Sequence, residues 1–168
     1  IGNPTESALL LWLHDHGKDY KKLRKNIEVV KQLPFSTERK FMATLAVVDG
    51  VTYLFVKGAP EIVMKKCQVE EREQKQSQEE LEDWQHKAMR TLAFAYKQVD
   101  ANTSLEQVLS ENGLTFQAIA AITDPIRKDV PAAVKECRQA GIEVKVVTGD
   151  TAATALEIGK QIGVFEDE

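Results

Sequence analysis

Lys57-Gly58-Ala59-Pro60-Glu61 joins a lysine at the end of an apolar run to two residues with almost no side chain, then to a proline placed to begin a helix. That order of residue types suits an anionic ligand held close to backbone, as on the floor of a nucleotide pocket. The same order also serves a plain strand-to-helix turn, which favours small residues and Pro at the first helical position. By itself the pentapeptide leaves both readings open.

Two further turns carry the same ambiguity. Asp124-Pro125-Ile126-Arg127 follows a predicted strand over 114–123, and Thr148-Gly149-Asp150 follows another over 142–148. In an open parallel sheet, ligands bind outside the carboxyl ends of the strands, where both turns would lie. The Thr148 hydroxyl, the Gly149 amide and the N-terminus of a helix beginning at Asp150 suit a phosphoryl group. Asp150 and Asp129 serve equally well as helix caps, and Asp124-Pro125 as a turn. Other chemistries are excluded by absence: there is no P-loop sequence, no G-x-G-x-x-G and no nucleophile elbow. His14 and His16 point to different faces of a predicted helix and His86 stands alone, so no metal site is expected.

The elements that must position these turns read as follows. Asn3-Pro4-Thr5-Glu6 is a helix start, with Asn3 as N-cap, Pro4 at the first helical position and Glu6 as the return member of a capping box. The helix runs to about His16 before Gly17, and Leu9 to Leu13 make it apolar nearly all round, which predicts burial on more than one side. A short helix over 20–25 follows. Strands are predicted over 28–33, 41–48 and 51–56, the last two joined by the hairpin signal Asp49-Gly50. The polar turn 35–40 separates the first two. A helix begins at Pro60, 68–83 reads as a solvated, charge-rich stretch, 77–90 as a helix striped by Leu81, Trp84 and Ala88, and 91–99 as a strand. Residues 100–113 read as a linker, after which strand 114–123, helix 129–140, strand 142–148 and helix 150–162 alternate. That β-α-β-α order predicts parallel strands and a domain boundary near residue 110.

Composition bounds the class. The chain has 168 residues, ordinary apolar content and a net charge of -4, with Lys and Arg interleaved among Asp and Glu, which argues against a nucleic-acid partner. No run of eighteen apolar residues occurs and no basic leader, so the chain is expected to be soluble, and monomeric. Cys67 and Cys137 fit a reducing, cytoplasmic setting. Its abrupt ends read as those of an excised fragment.

Asn3-Pro4-Thr5-Glu6, Phe35-Ser36-x-x-Arg39-Lys40, Lys57-Gly58-Ala59-Pro60-Glu61, Asp124-Pro125-x-Arg127 and Thr148-Gly149-Asp150, in this order, resemble the cytoplasmic catalytic part of P-type cation-transporting ATPases, closest to the calcium-pump branch. The resemblance covers nearly the whole chain. It implies an α/β fold: an antiparallel sheet with flanking helices over 1–110, the nucleotide-binding domain, followed over 111–168 by part of a Rossmann-like phosphorylation domain of haloacid-dehalogenase type. The parent would be integral to a membrane, with this part on the cytoplasmic side. Its partners would be ATP and the rest of the pump, namely the transmembrane and actuator domains and the remaining phosphorylation domain.

The resemblance also implies roles. Phe35 would stack on adenine, and Glu6 would accept from the adenine amino group in competition with its capping role. Lys40 and Lys57 would bring positive charge to the nucleotide, while Gly58 and Ala59 let base or ribose approach backbone. Arg90 matches an arginine that contacts phosphates, or else is a favourable charge at a helix C-terminus. Thr148, Gly149 and Asp150, supported by the turn of Asp124 and Arg127, would help hold the phosphoryl group. At the third position of Phe-Ser-Arg this chain has Thr37, and Arg39 is not assigned the missing phosphate role. The phosphorylated Asp of Asp-Lys-Thr-Gly-Thr would lie upstream of Ile1 and the main Mg2+ ligands of Gly-Asp-Gly-x-Asn-Asp downstream of Glu168, so the chain is expected to bind ATP with Mg2+ without turnover. A non-catalytic interaction module, its acidic stretch 70–83 meeting a partner, is the alternative from another class.

Overall fold

A computed structural model describes residues 3–87, 89–100, 102–110, 112–123, 125–148 and 152–165, and the chain divides into two compact units. The first comprises Ile1–Gln78 and Thr91–Ile122, the second Glu79–Arg90 and Thr123–Glu168.

In the first unit, helices α1 (Pro4–Asp15) and α2 (Tyr20–Lys25) precede strands β1 (Ile27–Leu33), β2 (Phe41–Val48) and β3 (Val51–Gly58). Helix α3 (Pro60–Val63), a 3-10 turn over Met64–Lys66 and the two-residue strand β4 (Cys67–Gln68) come next. Helix α4 (Glu71–His86) begins in this unit, and strand β5 (Arg90–Gln98), helix α5 (Leu105–Ser110) and strand β6 (Leu114–Ile122) complete its elements. The six strands form one sheet in the order β1-β2-β3-β5-β6-β4, in which β1-β2, β2-β3 and β3-β5 are antiparallel and β4-β6 is parallel.

The β2-β3 hairpin turns on Asp49 and Gly50, both at positive φ (50° and 80°), as the twist of a two-residue hairpin demands. Alternation along β2 and β3 buries one face. Ala43 and Leu45 meet Leu54, Val56, Ala93 and Ala95 there, and Val63, Leu105, Val108 and Leu114 close the core. Helix α5 lies where a linker is predicted. Ser104 Oγ accepts from Gln107 N at 3.1 Å to start it, and Lys31 Nζ ties it to β1 through Glu106 Oε1 at 2.8 Å.

Three further expectations are corrected in this unit. Helix α1 buries no residue: Leu11 and Trp12 are 62% and 59% exposed. The capping box does not form either; Asn3 Oδ1 alone accepts from Thr5 N at 3.0 Å, while the Glu6 carboxylate is engaged elsewhere. Strand β6, predicted to open a separate parallel sheet, sits between β5 and β4 in this one.

The second unit contains the end of α4 together with α6 (Val130–Gln139) and α7 (Ala152–Gln161), and it buries Leu81, Val134 and Gly159. A Cβ at Gly159 would run into the ring of Phe165, which packs directly on the α7 backbone there. The predicted strand over 142–148 does not form, and Val147 is 94% exposed. Its β-branched residues suit a strand, but among the described residues no neighbour pairs with it, and an unpaired strand leaves its peptide groups to water. Among the described residues no helix is long and apolar enough to cross a membrane.

Candidate functional site

Register brings three of the sequence motifs together at one end of the β2-β3 pair. Phe41 pairs with Gly58 and Met42 with Lys57, while on the other side of β3 Lys57 pairs with Phe94 and Gly58 with Ala93. Beyond the last pair, Ala59 N donates to the Lys40 carbonyl at 2.9 Å, fastening the end of loop 34–40 to the turn after β3. Lys57 Nζ donates to Glu6 Oε1 at 2.9 Å, which brings the first turn of α1 to the same place. Lys40 Nζ lies 3.5 Å from Glu61 Oε1.

The open face of the sheet continues this cluster. Side chains opposite to the core alternate along the strands, so Met42, Lys57 and Phe94 form one cross-strand row and Thr44, Phe55 and Tyr96 the next. Together they line a mostly apolar hollow of about 560 Å³ with Lys57 at its edge. Residue type alone does not single out Met42 or Phe94. The period-2 alternation of 41–48 is the available signal for Met42, since it places that residue opposite Phe41 and Ala43.

Electrostatics at the site are balanced. The Lys57 ammonium, first by hydrogen bonding and then by its charge, holds the Glu6 carboxyl below its ordinary value of 4.5. Both partners are accessible enough that such a pair contributes under about 1 kcal/mol to stability, so its main effect is to fix where the two groups lie. With one oxygen accepting from Lys57, Glu6 retains acceptor capacity on the other. Each of Lys40 and Lys57 has a carboxylate beside it, which makes the four residues neutral as a group.

Gly58 has a firmer reason than ligand approach. A Cβ built there would lie 2.5 Å from the Lys40 carbonyl oxygen and 2.5 Å from Phe41 Cβ. The missing side chain therefore admits the chain's own backbone, and Ala59 next to it is the residue left half-buried at the turn. Phe35 sits in loop 34–40 with 58% of its surface exposed, a ring without a core role.

The remaining residues are placed as follows. Arg90 is exposed at the first residue of β5 and not at a helix C-terminus, since α4 ends at His86. Arg127 forms a two-point ion pair with Asp129, Nη2 to Oδ2 at 2.7 Å and Nε to Oδ1 at 3.3 Å, so Asp129 does not cap α6 with its side chain. Thr148 is exposed in the irregular segment 142–148. Asp124, Gly149 and Asp150 lie outside the described residues.

The geometry is thus an apolar sheet face ending in a Lys-Glu pair, with an exposed aromatic ring in the loop whose end is fastened to the same turn. Comparison with known proteins gives the family. Residues 1–129 match the family model for the P-type ATPase, cytoplasmic domain N. The chain is 36% identical over 177 residues to the calcium-transporting ATPase PAT1 of Dictyostelium discoideum, covering 99% of this chain and 16% of that protein. It is 37% identical over 180 residues to the plasma membrane-type calcium-transporting ATPase 4 of Arabidopsis thaliana, covering 99% and 17%. With calcium-transporting ATPase 1 of Lactococcus lactis it shares 34% over 179 residues, covering 99% and 20%. The chain belongs to the P-type ATPase family. It spans a fifth or less of the length of these relatives.

Proposed function

We propose that this chain is the nucleotide-binding part of a P-type pump, with the beginning of its phosphorylation domain, and that its ligand is ATP. The observation that carries the reading is the convergence of Glu6, Lys57, Lys40, Ala59 and Glu61 beside an apolar hollow, through contacts of 2.9 to 3.5 Å. A planar base fits the apolar face beside Met42 and Phe94, with Phe35 available to stack and the free oxygen of Glu6 to accept from an exocyclic amine. Glu6 and Glu61 offset the charge of the two lysines and so weaken their attraction for the phosphates. Arg90, Thr148, Gly149, Asp150, Asp124 and Arg127, all in the second unit, are proposed to serve the phosphoryl end of the nucleotide.

When bound, ATP supplies the phosphoryl group for transfer to an aspartate. No Asp-Lys-Thr-Gly-Thr sequence occurs in these 168 residues, so this chain binds and orients the nucleotide while the acceptor belongs to another segment of the parent. Mg2+ would arrive with the polyphosphate, and its main protein ligands are proposed to lie in other segments of the parent. The segment from Thr123 onward is proposed as part of a haloacid-dehalogenase-type phosphorylation domain. Cation transport across a membrane, with calcium as the cation, is proposed for the parent from the names of its relatives. Its remaining domains are then this chain's partners.

Titration with ATP or ADP while recording amide NMR spectra tests the reading. Resonances of Phe35, Lys57 and their neighbours should move, and Lys57→Ala should weaken the response. Spectra unchanged at millimolar nucleotide would overturn it.

A further inference from the structure

Arg39 belongs to none of the contacts assigned above, and its side chain bonds back to its own loop. Its Nη2 donates to the Pro34 carbonyl at 2.8 Å, and its backbone N–H donates to Ser36 Oγ at 3.2 Å. The Ser36 carbonyl in turn accepts from Lys40 N at 2.8 Å. Lys40 itself holds φ at 58°, a left-handed conformation that a lysine adopts only when its surroundings impose it. Among the described residues, Arg39 Nε is the buried side-chain polar atom left without a hydrogen-bond partner.

Those facts weigh against a role in stability alone. The charge-assisted bond to Pro34 and the unpartnered Nε are of comparable size and opposite sign, so the arginine contributes little net stability. What it does contribute is shape: one planar group closes the loop from Pro34 to Arg39, with Phe35 directly inside the closure. The same loop ends at the Lys40 carbonyl that accepts from Ala59.

We propose that Arg39 is a positioning residue for the nucleotide base, which acts by locking loop 34–40 so that Phe35 presents its ring and Lys40 its carbonyl in fixed places. This rests on the nucleotide-binding reading above. An arginine that contacts phosphate would discriminate among ligands by their phosphate number, whereas one that sets the stacking ring affects every adenine ligand alike.

Binding of adenosine, ADP and ATP to the 168-residue chain, measured for wild type, Arg39→Ala, Phe35→Ala and the double variant, separates these cases. Arg39→Ala should weaken all three ligands by the same factor, about threefold to tenfold, a fraction of what base stacking provides, because the ring is no longer held in place. In the Phe35→Ala background it should cause no further loss. Arg39→Lys retains the charge but not the planar fork, and should show the same ligand-independent loss in smaller measure, which keeps the test available should the alanine variant fail to fold. A loss graded from ATP through ADP to adenosine, or additivity with Phe35→Ala, would overturn the proposal. So would unchanged affinity in Arg39→Ala while Phe35→Ala still weakens binding, which leaves the nucleotide reading intact. If wild type binds none of the three ligands, the nucleotide reading itself fails.

Discussion

The carbonyl oxygen of Lys40 occupies the space into which a side chain on Gly58 would project, 2.5 Å from the position of its Cβ. Two motifs separated by the whole of the β2-β3 hairpin are therefore packed backbone against backbone, and Ala59 N seals the contact with its bond to the same carbonyl. The glycine is required by the fold before any ligand arrives.

Gly58→Ala should therefore destabilise the protein, by about 1–3 kcal/mol, because the obstructing atoms are backbone and Cβ and neither can rotate away. Urea unfolding should show a lowered midpoint with an unchanged slope. A variant as stable as wild type would mean that the β2-β3 pair opens more readily than its register implies.

Acid should release the Glu6-Lys57 pair in a defined window. Lys57 holds the folded-state carboxyl of Glu6 below 4.5, so the pair's contribution is fully present above that value and is lost as pH falls through the lower, folded one. Glu106 is held down in the same direction, chiefly by its hydrogen bond from Lys31. The stability difference between wild type and Glu6→Gln should thus be flat from about pH 7 to pH 5, below about 1 kcal/mol for a pair this accessible, and shrink in more acid solution. A difference that instead vanishes between pH 7 and pH 5 would contradict the pairing.

Leu105 is 2% exposed and packs into the core from a helix of six residues. Leu105→Ala should cost about 2–5 kcal/mol, the range for a large buried aliphatic cut back in a packed core. Thermal or urea unfolding would report it, and a cost under 1 kcal/mol would show that α5 is only loosely docked.

That helix also shows where the sequence stops being readable. The β2-β3 hairpin is legible because Asp49-Gly50 is a local signal that determines a local turn. Helix α5 is not, since Leu105, Val108 and Leu109 amount to one apolar turn inside a polar stretch, too short for periodicity to register. Segment 142–148 fails in the opposite way: Ile142, Val144, Val146 and Val147 have strand-forming side chains, but a strand is a property of two chains and no partner stands beside this one among the described residues. At the site, Glu6, Lys40 and Lys57 are recognisable from residue type and motif. Phe94 becomes visible only with register, and the alternation that places Met42 opposite the core does not reveal the hollow, which exists once β2, β3 and β5 are paired and not before.

Phe35→Ala should weaken ATP, ADP and adenosine alike by about 1–3 kcal/mol, the usual worth of a base stacked on an aromatic ring, while leaving stability within experimental error because the ring is 58% exposed. Calorimetric titration and thermal unfolding of the same samples check both halves. Loss of stability together with binding would instead make Phe35 a structural residue.

The neutral grouping of Lys40 with Glu61 leads to a gain rather than a loss. Glu61 Oε1 lies 3.5 Å from Lys40 Nζ, so a polyphosphate approaching that lysine must compete with a carboxylate already there and is repelled by it. Glu61→Gln removes the competing charge while keeping the side chain's size. ATP affinity should rise about twofold to fivefold, as removal of one partly screened charge interaction would give, and the increase should fade as salt is added. Adenosine, which carries no phosphate, should bind the variant and wild type equally. A rise for adenosine as well would show that Glu61 acts through the shape of the turn at Pro60, and no rise for ATP would show that the phosphates never come near Lys40.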